Sequence, residues 1–150
     1  MLITIRDVAD DELFALLCLY ARLHPEDETP PAGDAMPLWK TLQQDPNQHC
    51  LGVYLGASLV ATCTLIVVPN LTRGGRPYGL IENVVTHPDH RRRGFGTAVL
   101  RRALELAWER GCYKVMLLTG SRNETTLRFY EKVGFARGVK TGFVARPNDC

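Results

Sequence analysis

The segment from Tyr78 to Arg110 constrains the fold most. Tyr78 to Thr86 is a β-rich run stopped by Pro88, and Arg91-Arg92-Arg93-Gly94-Phe95-Gly96-Thr97 follows as a short basic loop. Gly94 to Arg110 then carries Ala98, Leu100, Ala103, Leu104, Ala107 and Trp108 at helical spacing, and Gly111 ends the run. A strand therefore feeds a helix through a glycine-containing basic loop. The first N–H groups of a helix have no intrahelical partner, and the aligned peptide dipoles add about half a positive charge there. Gly94 and Gly96 remove side chains where an anion would approach, and Arg91 to Arg93 surround it with charge. The segment reads as a cradle for a phosphate or pyrophosphate. It is neither a P-loop nor the dinucleotide GxGxxG fingerprint, since only one GxG is present. The alternative is a glycine turn carrying a solvated arginine run.

The rest of the chain supplies the frame. Leu2 to Arg6 alternates as a first strand, and Asp10-Asp11-Glu12 supplies the N-cap and early negative charge of a helix over Leu13 to Leu23. A polar loop over His24 to Asp34 precedes a second helix opening at Asp34 or Pro37 and ending near Asp45. His49 to Leu55 and Leu59 to Val68 are strands joined by Gly56-Ala57-Ser58. A turn-rich connection, Pro69 to Pro77, leads into Tyr78 to Thr86. After the glycine-loop helix come a short strand at Val115 to Leu118, a helix over Asn123 to Val133, and one or two closing strands between Phe135 and Ala145. The order predicts one mixed α/β domain over residues 1–150, with an antiparallel meander followed by β-α-β-α.

Composition agrees and excludes several classes. Hydrophobic residues make up 45% and charged residues 23% of the 150 positions, as in ordinary globular domains. A net charge of +2 is too small for a bulk nucleic-acid binder. No apolar run approaches the roughly 18 residues of a membrane helix, and the N-terminus lacks a signal-peptide pattern, so a cytoplasmic protein is expected. The five cysteines are scattered without a CxxC pair, which predicts reduced thiols, with Cys150 exposed. His87 and His90 flank Asp89, but spacing places no third ligand, and no metal is expected.

Arg91-x-x-Gly94-x-Gly96 after a strand resembles the acyl-CoA pyrophosphate loop of the GNAT N-acetyltransferase superfamily. Asn123, seven residues before Tyr130, and the run Phe129 to Phe135 resemble its second hallmark. The resemblance covers Ile81 to Ala136 and implies that superfamily's fold, an antiparallel N-terminal meander ending in a splayed parallel pair. It also implies acetyl-CoA as co-substrate. Backbone amides of Arg92, Arg93, Gly94, Phe95, Gly96 and Thr97 would hold the pyrophosphate, with Arg91 at the head of the motif. Val84, Val85 and Thr86 would pair with the pantetheine arm as a strand would. Asn123 would bond the arm or a nearby water, although an Asn there equally suits a helix N-cap.

The same resemblance, joined to acid–base chemistry, gives catalytic candidates. Tyr130, a phenol with an ordinary pKa of about 10, suits protonation of a departing thiol of about 8.5. Glu82 is the candidate base for an acceptor amine that arrives protonated, the alternative being an ion pair with a nearby arginine. Strand alternation would put Glu82 on one face with Val84 and Thr86, and Ile81, Asn83 and Val85 on the other. The implied activity is transfer of an acetyl group to a primary amine of a small molecule by direct attack in a ternary complex. Protein lysine or N-terminal acetylation and non-catalytic acyl-CoA binding are the alternatives. The glucosamine-6-phosphate N-acetyltransferase branch is nearest in look, though Asn83 and Leu117-Leu118-Thr119 lack acids that branch carries. Glu26, Asp27, Glu28 and Asp34 on one loop, and Arg73 and Arg76 on another, would border the acceptor. Exposed terminal strands, together with what the resemblance implies, make a homodimer the expectation.

Overall fold

Five strands form one sheet in the order β1-β2-β3-β4-β5: β1 (Ile3–Asp7), β2 (Gln48–Leu55), β3 (Ser58–Val68), β4 (Tyr78–Thr86) and β5 (Val115–Leu117). The first three pairings are antiparallel and β4–β5 is parallel, which gives the mixed sheet the element order predicts. The structure, a computed structural model, describes residues 2–26 and 30–148. Asp27, Glu28 and Cys150, named above for the acidic loop and the exposed thiol, lie outside the described residues. The chain divides into two compact units, Met1–Leu117 and Leu118–Cys150.

In the first unit, helices cover both faces of the sheet. Helix α3 (Phe95–Glu109) turns Val99, Leu100, Ala103 and Ala107 inward, and all four are fully buried. This stripe of small and branched residues lets the helix approach the strands closely, and the Cys63 thiol reaches the Val99 carbonyl at 3.8 Å. On the opposite face, α1 (Leu13–Tyr20) and α2 (Ala32–Gln44) enclose Val8, Leu13, Leu16, Ala35 and Trp39. Trp39 is only 4% exposed, and its indole N–H donates to the Asp10 carbonyl at 3.0 Å, so it belongs to this core. Tyr20, Cys50 and Thr62 continue the layer through contacts of 3.7–3.8 Å.

Local chemistry moves several boundaries. A 3-10 turn, Asp10–Glu12, precedes α1, which stops at Tyr20 instead of Leu23; Ala9, not Asp10, occupies the N-cap of that turn. The Glu12 carboxylate accepts the Ala9 N–H at 2.8 Å, so the acidic run still caps the turn, from its far end. Helix α2 begins at Ala32, ahead of Asp34 and Pro37, because the Pro31 carbonyl already accepts the Asp34 and Ala35 N–H groups. Pro37 is carried inside the helix.

Among its described residues the second unit contains one helix, α4 (Glu124–Val133), stopped at Gly134. The closing strands expected between Phe135 and Ala145 are absent among the described residues, where this stretch is turn and irregular chain. Val139, Phe143 and Val144 are exposed there, so the apolar character that suggests a strand meets no partner edge.

Candidate active site

β4 carries the first half of the site. Its register against β3 slips between Thr62 and Thr64, and Asn83 has a left-handed backbone, φ 54°. A bulge at this point lets one extra residue of β4 oppose β3, and Asn is among the few non-glycine residues that tolerate the conformation. Glu82 and Asn83 are therefore both exposed in succession, while Ile81 and Val85 remain buried. The expected alternation is corrected here: Asn83 does not share the buried face of Ile81 and Val85. The Glu82 carboxylate has no hydrogen-bond or ion-pair partner among the described residues, so the alternative of an arginine pair is not realised. An asparagine inside a β-branched strand is the one sequence signal for this bulge.

The parallel ladder is short. Gly79, Leu80 and Ile81 pair with Val115, Met116 and Leu117, and there β5 ends, while β4 runs on to Thr86. From Glu82 onward the side of β4 turned away from β3 carries no strand among the described residues. Val84, Val85 and Thr86 thus present main-chain groups on an open edge, the arrangement that accepts an extended ligand as an added strand.

The edge leads directly into the basic loop. A 3-10 turn, Pro88–His90, is held by the His87 ring, whose Nδ1 accepts the Asp89 N–H at 3.1 Å. The Arg91 guanidinium donates back to the Thr86 carbonyl at 3.3 Å and ties the loop to the end of the strand. Arg92 and Gly94 take left-handed backbones, φ 61° and 83°, and Gly94 is the N-cap of α3 without any side-chain cap. No acceptor among the described residues takes the N–H groups of residues 92–97. Six consecutive donors at the positive end of a 15-residue helix form an anion cradle. Arg93 lies 5.1 Å over the Phe95 ring and contacts His90 Nδ1 at 3.0 Å, so its charge is held at the rim. None of Arg91, Arg92 and Arg93 is paired with a carboxylate among the described residues.

These groups fit acetyl-CoA by their chemistry. The amides and arginines match a pyrophosphate, and the open β4 edge matches the alternating amides of a pantetheine arm. Among the described residues, no group of three or more His, Cys, Asp or Glu side chains is placed to hold a metal ion.

The second unit holds the remaining candidates. Asn123 is the N-cap of α4, and its Oδ1 accepts the Thr125 N–H at 2.9 Å. The structural half of its double reading is thus present, and the side-chain NH2 is the group left for a ligand. Tyr130 is half-buried on the last turn but one, with Phe129 at 5.0 Å and Phe135 edge-on at 6.3 Å between ring centroids. Its carbonyl accepts the Gly134 and Phe135 N–H groups, so the helix C-terminus fixes the backbone beneath the phenol. Arg137 bridges Glu124 and Glu131 across the same helix.

Two features escape sequence reasoning. Arg6 grips Glu12 with two bonds of 2.8 Å, Tyr54 donates to the same carboxylate at 2.8 Å, and the Arg6 guanidinium lies 3.8 Å above the Tyr54 ring. The Arg6 bonds foremost hold the Glu12 carboxyl down to about 2. The other is that Lys114, Tyr78 and Tyr113 join Arg73 and Arg76, which the sequence places on one loop, in a single cluster. Both join residues distant in sequence, and only the strand register brings them together.

Comparison with known proteins agrees with this geometry. The family described as "Acetyltransferase (GNAT) family" matches residues 13–135. The chain is 43% identical over 77 residues to the glucosamine 6-phosphate N-acetyltransferase of Trypanosoma brucei brucei, a stretch covering 51% of this chain and 50% of that protein. It is 34% identical over 79 residues to the glucosamine 6-phosphate N-acetyltransferase of Schizosaccharomyces pombe, covering 53% of this chain and 68% of that protein. The chain spans about half the length of the first of these relatives. Among solved structures, "Putative acetyltransferase from Agrobacterium tumefaciens str. C58" superposes with a TM-score of 0.92 at 41% identity, covering 96% of this chain and 99% of that one. With the mixed sheet, its parallel β4–β5 pair and a family match that runs through strand, cradle and α4, the chain belongs to the GNAT acetyltransferase family.

Proposed function

We propose that the protein transfers an acetyl group from acetyl-CoA to a primary amine of a small molecule, by direct attack of the amine in a ternary complex. The observation that carries this reading is the continuous track from the open edge of β4 at Val84–Thr86 into the free amides of residues 92–97. A chain that binds only an anion needs the cradle alone; the open edge and the unpartnered carboxylate beside it are what acyl transfer adds. The named activity of the Trypanosoma and Schizosaccharomyces relatives supports a small amine over a protein as the acceptor.

Acetyl-CoA supplies a thioester already activated for attack, so the chain has to orient it and move protons. Arg92 to Thr97 hold the pyrophosphate through their N–H groups, with Arg91 and Arg93 adding charge. Val84, Val85 and Thr86 align the arm, and the Asn123 NH2 bonds it or a bridging water. Glu82 draws the proton from the acceptor ammonium, directly or through water, because an alkylammonium of pKa about 10 has no lone pair to attack with. Tyr130 gives its phenolic proton to the departing sulfur. We also read the protein as a homodimer with no nucleic-acid partner.

The test has two arms. Amino sugars, amino sugar phosphates, aminoglycosides, polyamines, amino acids and peptides are screened for thiol release from acetyl-CoA, and at least one small amine is expected to turn over. Gly96→Leu, which puts a bulky side chain at the mouth of the cradle, is expected to weaken CoA binding by about tenfold or more. Unaltered CoA affinity in that variant would remove the cradle assignment, and turnover of peptides alone would move the acceptor to proteins.

A further inference from the structure

The β3–β4 connection and the start of β5 carry a cationic cluster to which the proton-transfer and CoA-binding steps above assign no role. Arg73 and Arg76 each place their guanidinium carbon 5.6 Å from the Tyr113 ring centroid, and Lys114 Nζ lies 5.3 Å from the same point. No two of the three charges can therefore be separated by more than about twice that distance, a span over which charges at the surface still interact at low ionic strength. Lys114 also lies 5.4 Å from the Tyr78 ring, which meets Tyr113 edge-on at 6.4 Å. None of the three cations is ion-paired to a carboxylate among the described residues, whereas Arg6, Arg102, Arg128 and Arg137 are.

The cluster is built, not incidental. The Tyr113 N–H donates to the Pro77 carbonyl at 3.0 Å and the Gly79 N–H to the Lys114 carbonyl at 2.9 Å, which fixes Tyr113 and Lys114 beside the base of β4. Residues 73 to 75 all have left-handed backbones, Arg73 at φ 56°, a conformation that disfavours a residue with a Cβ. Asn70 holds the turn there: its side-chain NH2 donates to the Thr72 and Arg76 carbonyls at 3.0 and 3.1 Å. The Arg76 Nε donates to the Arg73 carbonyl at 3.1 Å, so the two arginines are set side by side. A cleft of about 410 Å³ opens against the same turn, walled by apolar Val67, Pro69, Leu71 and Pro77 and by the polar side chains of Asn47, Asn70 and Arg110.

Three like charges held together cost Coulomb energy, which ring faces offset only in part. Two planar guanidinium forks and an ammonium match a polyvalent oxyanion, and a single carboxylate would leave most of the charge unmatched. At the rise of a β-strand, Tyr78 lies about 13 Å along β4 from Glu82 and about 26 Å from Thr86, so this site is separate from the amide cradle. From this geometry we infer that Arg73, Arg76 and Lys114 form a second anion site, for the phosphoryl group of a small phosphorylated molecule whose organic part lies in the adjoining cleft.

The probe is inorganic pyrophosphate, added to 15N-labelled protein already saturated with CoA so that the cradle is blocked. Saturable amide shifts centred on Arg73, Arg76, Tyr113 and Lys114 are expected, absent with sodium chloride at equal ionic strength. Arg73→Gln/Arg76→Gln together should weaken the affinity by about tenfold or more, and Lys114→Gln alone by less, with CoA affinity unchanged in both. The shared chemistry has two sources, separated by the KM of the amine. A raised KM in the double variant assigns the phosphoryl group to the acceptor, and an unmoved KM assigns it to a separate ligand. Shifts that never saturate, equal shifts with chloride, or equal affinity in the double variant would overturn the site. Loss of CoA binding in the Gly96→Leu protein with these shifts intact would leave it standing.

Discussion

At the scale of single residues, the two proton-handling assignments separate cleanly. Glu82 is exposed by the bulge at Asn83 and carries no partner among the described residues. Its carboxylate is therefore available to an incoming ammonium without first breaking a salt bridge. Glu82→Gln should lose the largest fraction of its rate at low pH, where free amine is scarce and a base matters most. A kcat/KM profile of unchanged shape and height would make Glu82 structural. Tyr130→Phe keeps the ring that packs with Phe129 and Phe135 and removes only the hydroxyl. We expect kcat to fall about a hundredfold with CoA affinity retained, since general-acid assistance is typically of that size. An unchanged kcat would take the phenol out of the reaction. Asn123 shows why residue types alone leave some roles double: one amide oxygen caps α4 while the nitrogen of the same group stays available.

At the scale of elements, legibility follows how local the cause is. β4 is readable to both ends because Pro77 and Pro88 bracket a β-rich run, and α3 because its apolar stripe recurs over four turns. The cradle is readable for the same reason, since its donors are consecutive in sequence. The closing strands are not: alternation between Phe135 and Ala145 makes a strand only where an edge accepts it. The Arg6–Glu12–Tyr54 network depends on β1 pairing with β2, which sets Arg6 opposite Gly52 and Thr4 opposite Tyr54. It also gives an acid-stability prediction. The Glu12 carboxyl is lowered to about 2 from 4.5, so its charged form is favoured by folding. Its contribution is complete above pH about 4.5 and is lost as the pH falls through 2. Glu12→Gln should cost about 1–2 kcal/mol at neutral pH, allowing for solvent screening at the exposed guanidinium. In urea unfolding the gap from wild type should close between pH 4.5 and 2; a gap constant across that range would place the effect in packing.

At the scale of the whole molecule, charge and apolar surface are distributed for different tasks. A net charge of +2 conceals two cationic regions at opposite ends of β4, the Arg91–Arg93 rim and the Arg73–Arg76–Lys114 cluster. In the reading proposed above each takes an anion of limited size, which is why the average is uninformative about binding. Exposed large apolar side chains occur in both units but are denser along the C-terminal one, where Leu118, Val139, Phe143 and Val144 are exposed, Phe143 to 91%. Singly exposed apolar residues are ordinary, but four in one 33-residue unit, with expected strands that find no partner, favour self-association. Light scattering after size exclusion should then report twice the 16.8 kDa of the chain. Phe143→Asp places a charge where a second copy would bury an aromatic ring, and should shift the protein to the monomer while its circular dichroism spectrum is retained. A wild-type mass of one chain would remove the dimer. A Phe143→Asp protein that stays dimeric would keep the dimer but move its interface away from this segment.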